Sequence, residues 1–188
     1  MEQRDLWDGF YRQNPRAWRG TSSIPVPCEG KALDVGCGNG KTVSALMEAG
    51  LEVTGVDFSP TVIGRCKEAY PDATFVECDA SALPFQDETF DYVVAVHVME
   101  NLDDAKLLSA ASEMRRVLRT GGYLLVRCFT PDDMRSGERR GGFFYRYFEL
   151  EDVLDLFEVM ETVESFRKDE PTRFGTVRSR VECLFRKK

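Results

Sequence analysis

The chain has 188 residues, of which 43% are hydrophobic and 30% charged, and its formal net charge is -7. That length fits one domain, and a chain of this size can bury about 70% of its unfolded surface without a disulfide or metal staple. The acidic balance argues against a nucleic-acid backbone as the main partner, because such proteins carry a positive footprint. Arg135, Arg139, Arg140 and Arg146 form one local basic cluster, read here as the charge of a solvated loop.

The opening Met1-Glu2-Gln3-Arg4-Asp5 is charged and lacks an apolar segment, so no secretory signal is expected. No apolar run reaches the ~20 residues of a membrane span. Cys28, Cys37, Cys66, Cys78, Cys128 and Cys183 form no C-x-x-C pair, and His97 is the single imidazole, so no metal site is expected. Scattered cysteines in such a chain read as reduced, mostly buried thiols, and the expected location is the cytoplasm.

In chain order, Asp5–Tyr11 carries Leu6, Trp7, Phe10 and Tyr11 at helical spacing and predicts an N-terminal helix packed on the domain. Strands are predicted over Lys31–Val35, Leu51–Val56, Ala73–Glu77 and Phe90–Val96, the last with β-branched residues buried on both faces. Helices are predicted from the Gly-rich turn through about Ala49, over Pro60–Tyr70 and over Asp103–Leu118. Thr120-Gly121-Gly122 is expected to stop that last helix and open a strand over Tyr123–Phe129. A polar loop with Gly137, Gly141 and Gly142 follows Pro131, then a short helix over Phe148–Phe157. Strands over Glu158–Phe166 and Val177–Phe185 flank the turn-rich Asp169–Gly175. Alternation of strand and helix predicts an α/β fold. The expected form is a doubly wound seven-stranded sheet, mostly parallel with an antiparallel C-terminal hairpin, and helices on both faces.

The chemistry concentrates at the ends of the first four strands. In Ala32-Leu33-Asp34-Val35-Gly36-Cys37-Gly38-Asn39-Gly40, a buried strand feeds a turn with glycine at three alternate positions, and a helix begins at once. Glycines let a ligand approach the backbone, and the helix start supplies free N–H groups. The spacing is G-x-G-x-G, not the dinucleotide G-x-G-x-x-G. Asp57 ends Val53-Thr54-Gly55-Val56-Asp57 and is placed to accept hydrogen bonds from ribose hydroxyls; alternatively it caps the next helix, a role Ser59 could fill instead. Asp79, just past the third strand, can accept from an adenine amine. Phe90–Leu102 ends in a loop that would lie beside the reacting centre.

Together the blocks D-V-G-C-G-N-G, V-D-F-S, C-D-A-S-A-L-P-F, F-D-x-V and L-R-T-G-G-Y-L resemble the class I S-adenosylmethionine-dependent methyltransferases, in particular their small type 11 members. The resemblance covers about Lys31 to Phe129. It implies a Rossmann-like fold, S-adenosylmethionine as cofactor and in-line methyl transfer to a small-molecule nucleophile. On matching residues, Asp34, Gly36, Cys37, Gly38 and Gly40 would line the methionine part, with Asp34 near its amino group. Asp57 would hold the ribose, Phe58 would lie against the adenine, and Asp79 and Ala80 would meet its edge. Val96, His97 and Val98 would flank the sulfonium. An N-terminal lid over residues 1–22 would bring Tyr11, Trp18 and Arg19 to the cofactor. Residues 30–130 would form the cofactor-binding core, and 131–188 the substrate loop and hairpin.

Where many relatives show histidine, this chain has Asn101, which leaves His97 as the catalytic candidate; alternatively His97 only packs on or hydrogen-bonds the cofactor. Glu100 reads as a helix-entry residue, and Tyr145 and Tyr147 as pocket or core residues. Arg173–Lys188 is faintly similar to tellurite-resistance methyltransferases. Two rival classes are a non-catalytic S-adenosylmethionine-binding regulator or partner subunit and a nicotinamide-dependent oxidoreductase, the latter disfavoured by the G-x-G-x-G spacing.

Overall fold

The computed structural model describes residues 2–17, 22–136 and 142–188 of the chain. Its element order is α1 (Gln3–Gln13), β1 (Lys31–Val35), α2 (Lys41–Glu48), β2 (Glu52–Asp57), α3 (Pro60–Ala69), β3 (Thr74–Glu77), β4 (Phe90–Val96), a single 3-10 turn (Met99–Asn101), α4 (Asp104–Val117), β5 (Leu118–Phe129), α5 (Leu150–Leu156), β6 (Glu161–Pro171) and β7 (Val177–Arg186). The strands form one sheet in the order β3-β2-β1-β4-β5-β7-β6. The first five pair in parallel, and β7 pairs antiparallel with both β5 and β6. This is the expected doubly wound architecture with an antiparallel hairpin closing one side.

Alternation along the central strands divides the core into two layers. Leu33, Val35, Val93, Ala95, Leu124 and Val126 pack with Leu107, Ala110, Ala111 and Met114 of α4 and with Val153 of α5. Ala32, Val53, Tyr92, Val94 and Leu125 point the other way, onto Val43 and Leu46 of α2, Val62, Ile63 and Cys66 of α3, and Trp7 and Tyr11 of α1. The connections through α2 and α3 thus cover one face and α4 the other. Strand order therefore reverses between β1 and β4, the place where open α/β sheets form a ligand crevice.

Two expectations need correcting. The helix before β5 ends at Val117, and Thr120-Gly121-Gly122 lies inside the strand. Pairing jumps from Phe90–Leu118 to Tyr92–Tyr123, so the glycines form a bulge that a helix-stop reading misses. The hairpin is also longer than expected, with β6 running to Pro171 and the turn shortened to Thr172–Thr176. Gln3–Gln13 confirms the N-terminal helix, and its Trp7 and Tyr11 are buried. Cys37, Cys66, Cys128 and Cys183 are buried and Cys28 and Cys78 half-buried; all six are free thiols. No helix among the described residues is long and apolar enough to cross a membrane.

The two bulge glycines differ in a testable way. A Cβ on Gly122 would lie 2.8 Å from the Asp91 carbonyl oxygen and 3.0 Å from that of Arg119, both backbone atoms unable to yield. Gly121 has a φ of 80° but open space, its nearest neighbour being the Arg186 guanidinium at 3.9 Å. Gly121→Ala should therefore lose only the left-handed backbone penalty, about 1–2 kcal/mol. Gly122→Ala should lose more, about 3 kcal/mol, as overpacking against fixed backbone. Urea unfolding of both variants measures the difference, and equal midpoints would refute the assignment.

Candidate functional site

The carboxyl ends of β1, β2, β3 and β4 lie side by side, with Val35 opposite both Val56 and Ala95, and Asp57 opposite Glu77. Every core residue expected at the site is carried on this edge. The glycine turn leaves β1 through Gly36, Gly38 and Gly40 with φ of 68°, 49° and 80°. Two of these admit no side chain: a Cβ on Gly36 would sit 2.4 Å from Val98 Cγ2, and one on Gly40 2.3 Å from the Tyr70 ring. Gly40 then starts α2 without a side-chain cap, which leaves the first N–H groups of that helix directed at the turn.

Asp57 is buried, and its carboxylate accepts from the Gly38 N–H at 3.1 Å and the Ser59 N–H at 2.9 Å. It does not cap α3. Ser59 does, accepting from the Val62 N–H at 3.3 Å. Burial pushes the Asp57 carboxyl up to about 6 against the pull of those N–H donors. Asp34 lies beneath the turn, fully buried, and burial and the nearby Asp57 charge push it well above the usual carboxylate range. Its Oδ2 has no hydrogen-bond partner among the described residues. A buried, bare carboxylate oxygen is costly, and a cationic amino group is the partner that would satisfy it.

Asp79 stands in the loop after β3, and its carboxylate is already engaged. Ser81 donates to Oδ1 through its N–H and hydroxyl, and Lys106 of α4 donates to Oδ2 at 2.8 Å. Partial burial raises this carboxyl, but those donors hold it below its usual range. The Lys106 partner carries no motif and was missed in the sequence. Phe58, Ala80 and Val96 are half-buried near the same edge, and Cys37 is buried in the turn.

His97 follows β4 with a φ of 60°, a conformation that turns its ring out of the strand direction. The ring stacks on Phe129 of β5, centroids 3.7 Å apart and planes at 12°. Its Nδ1 lies 2.9 Å from Oε1 of Glu100, which also accepts from the Phe129 N–H at 2.8 Å. Glu100 is therefore a fully buried partner of the imidazole and not simply a helix-entry residue. Only its three-residue spacing from His97 could have signalled that.

The N-terminal helix closes one side. Asp8 accepts from the Ser59 hydroxyl at 2.6 Å and the Thr61 N–H at 3.2 Å, and Arg65 donates to the Tyr11 carbonyl at 2.7 Å. The Tyr11 hydroxyl lies 3.1 Å from where a Gly38 Cβ would stand. Gln3 exchanges hydrogen bonds with Gly142 and Phe144, and Trp7 packs on Phe143 at 4.7 Å. Tyr145 lies between Phe129 and Tyr147 in one run of rings, so both tyrosines border the site. Trp18 and Arg19 lie outside the described residues, as do Arg139 and Arg140 of the basic cluster. Arg135 and Arg146 of that cluster pair with Asp133 and Asp104.

Comparison with known proteins places the fold and the family. The methyltransferase domain family matches residues 33–126, half of the chain. A demethylmenaquinone methyltransferase of Beutenbergia cavernae is 35% identical over 118 residues, covering 63% of this chain and 48% of that protein. The chain thus spans about half the length of the curated relatives it matches. A solved S-adenosylmethionine-dependent methyltransferase from Methanosarcina mazei superposes with a TM-score of 0.73 at 23% identity, covering 84% of this chain and 92% of that one. A TehB-like methyltransferase from Corynebacterium glutamicum gives 0.67 at 22% identity, covering 98% and 97%. At those identities the superpositions speak for the fold alone. The chain belongs to the methyltransferase domain family, whose cofactor is S-adenosylmethionine.

Proposed function

We propose that the protein transfers a methyl group from S-adenosylmethionine to a small-molecule nucleophile. The observation that carries this reading is the bare buried Oδ2 of Asp34 beneath a glycine turn in which Gly36 and Gly40 have no room for a side chain. These features fit a ligand with a cationic amino group and a polar chain passing close to the backbone. In this reading Asp34, Gly36, Cys37, Gly38 and Gly40 hold the methionine part, Asp57 the ribose, and Phe58, Asp79 and Ala80 the adenine. Val96, His97 and Val98 border the reacting side, with Tyr11 over the turn. The bound cofactor supplies a methyl group already strongly electrophilic on its sulfonium. The chain's own contribution is then alignment, which can supply roughly 7–11 kcal/mol, and exclusion of water by α1 and the 142–147 segment. Relatives named demethylmenaquinone methyltransferases and the net charge of -7 support a small acceptor. A labelled-methyl screen over thiols, phenols, amines, carboxylates and metalloid oxyanions tests it. Cofactor binding without turnover of any acceptor would favour a regulatory subunit.

The ribose assignment sets a pH dependence. Only the ionised Asp57 accepts fully from two hydroxyls, so binding draws its proton off and lowers its pKa. Affinity for S-adenosylhomocysteine should be complete above about pH 7 and fall as pH drops through about 6, by up to tenfold per unit. Asp57→Ala should lose about 1.5–3 kcal/mol of binding while remaining folded, and with it the pH dependence. Calorimetry from pH 5 to 8 measures both; equal affinity in wild type and variant would remove Asp57 from the site.

Because α1 is fastened to the site through Asp8 and Tyr11, ligand binding should damp its local opening. Amide exchange over Gln3–Gln13 should slow at least tenfold with saturating S-adenosylhomocysteine, with little change in β6. Unchanged exchange would make α1 a packing element only.

A further inference from the structure

We infer that His97 is the general base of the reaction, that Glu100 is its positioning residue, and that the acceptor therefore arrives protonated, as an O–H or S–H nucleophile. This rests on the methyl-transfer reading above. A buried carboxylate is among the more costly side chains to place in a core. Glu100 has no exposed surface, yet only Oε1 is partnered, by His97 Nδ1 and the Phe129 N–H; Oε2 has no partner among the described residues. Packing alone does not account for such a group, since an apolar side chain would fill the same space more cheaply. A carboxylate fixed against Nδ1 does two things an apolar residue cannot. It holds the neutral ring in the Nδ1–H tautomer, leaving the Nε2 lone pair free, and it stabilises the imidazolium once Nε2 takes a proton.

The ring is held by more than this bond. Its stacking on Phe129 fixes the plane, and the left-handed backbone at His97 is a strained conformation of the sort that collects at functional sites. The side chain keeps 28% of its surface open, and Nε2 has no partner among the described residues. Val98, the next residue, packs directly on Gly36 of the cofactor turn, which puts the imidazole one residue from that turn. Phe129, Tyr145 and Tyr147 continue as an aromatic wall suited to a flat acceptor. In the step itself, the acceptor's O–H or S–H proton passes to His97 Nε2 and the acceptor's lone pair forms the new bond to the methyl carbon. The electrons of the broken carbon–sulfur bond stay on sulfur in the neutral thioether product.

Because His97 is the chain's only histidine, ring-nitrogen NMR of the 15N-histidine-labelled protein reads this imidazole without assignment variants. With and without S-adenosylhomocysteine, the neutral ring should carry its proton on Nδ1, and Glu100→Gln should shift the population toward Nε2–H. A wild-type ring protonated at Nε2 overturns the inference with no acceptor needed. For turnover, catechol and 2-mercaptoethanol serve as protic probes, and tetrahydrothiophene, which has no proton to lose, as the control. His97→Gln should slow methylation of a protic probe ~10²-fold. It should leave tetrahydrothiophene turnover and S-adenosylhomocysteine affinity within threefold, and added imidazole should partly restore His97→Ala. Equal losses on both probe types, or a parallel loss of S-adenosylhomocysteine affinity, would make His97 a cofactor contact and overturn the inference alone. Wild-type protein that does not bind S-adenosylhomocysteine would instead sink the methyl-transfer reading itself.

Discussion

A single buried carboxylate ties the site together. Asp57 ends β2, and through its two oxygens it takes the N–H of Gly38 in the glycine turn and the N–H of Ser59 at the start of α3. Ser59 then caps α3 and donates its hydroxyl to Asp8, which fastens α1. Three chain segments far apart in sequence are thereby held around one negative charge. Desolvation makes that charge expensive, and the N–H donors only partly offset it, as the raised Asp57 pKa records. The arrangement is stable enough to fold and still unsatisfied enough to favour a ligand.

Strain and unmet polarity are distributed unevenly. Buried apolar side chains line the sheet on both sides. Positive φ at Gly36, Gly38, Gly40 and His97, and bare carboxylate oxygens on Asp34 and Glu100, gather at the carboxyl ends of β1 and β4 or just beyond them. These are the positions flanking the reversal of strand order. Other departures, such as the left-handed Glu88 and the Gly121-Gly122 bulge, lie elsewhere, but among the described residues only this edge combines a left-handed histidine with two bare, buried carboxylate oxygens.

Much of this was legible from residue order because the decisive signals are short in range. Phe90–Val96 was read to its observed bounds, since seven mostly apolar residues between turn signals leave few alternatives. The glycine turn and Asp57 likewise stand in one strand-turn-helix context each. What escaped was set by partners distant in sequence. Gly121-Gly122 looks like a helix stop until β4 is seen pairing across it, and Asp79 looks free until Lys106 arrives from α4. Glu100 reads as a helix-entry residue because burial of a carboxylate has no local signature. Trp18 and Arg19 stay beyond the described residues, so of the residues proposed for a lid only Tyr11 can be placed.

The two margins of the sheet carry a consequence of their own. Open sheet edges are templates on which another chain can add a strand and begin to aggregate. Here one margin is β3, only four residues long, with Arg4 of α1 paired to its Glu77. The other is β6, whose Glu161-Thr162-Val163-Glu164-Ser165-Phe166-Arg167-Lys168-Asp169-Glu170-Pro171 mixes charges of both signs and ends on a proline that has no N–H to offer. A strand arriving at either side finds too short a ladder or too many hydrated charges to displace. The same hairpin that completes the sheet thus makes its outer margin a poor template for a second chain.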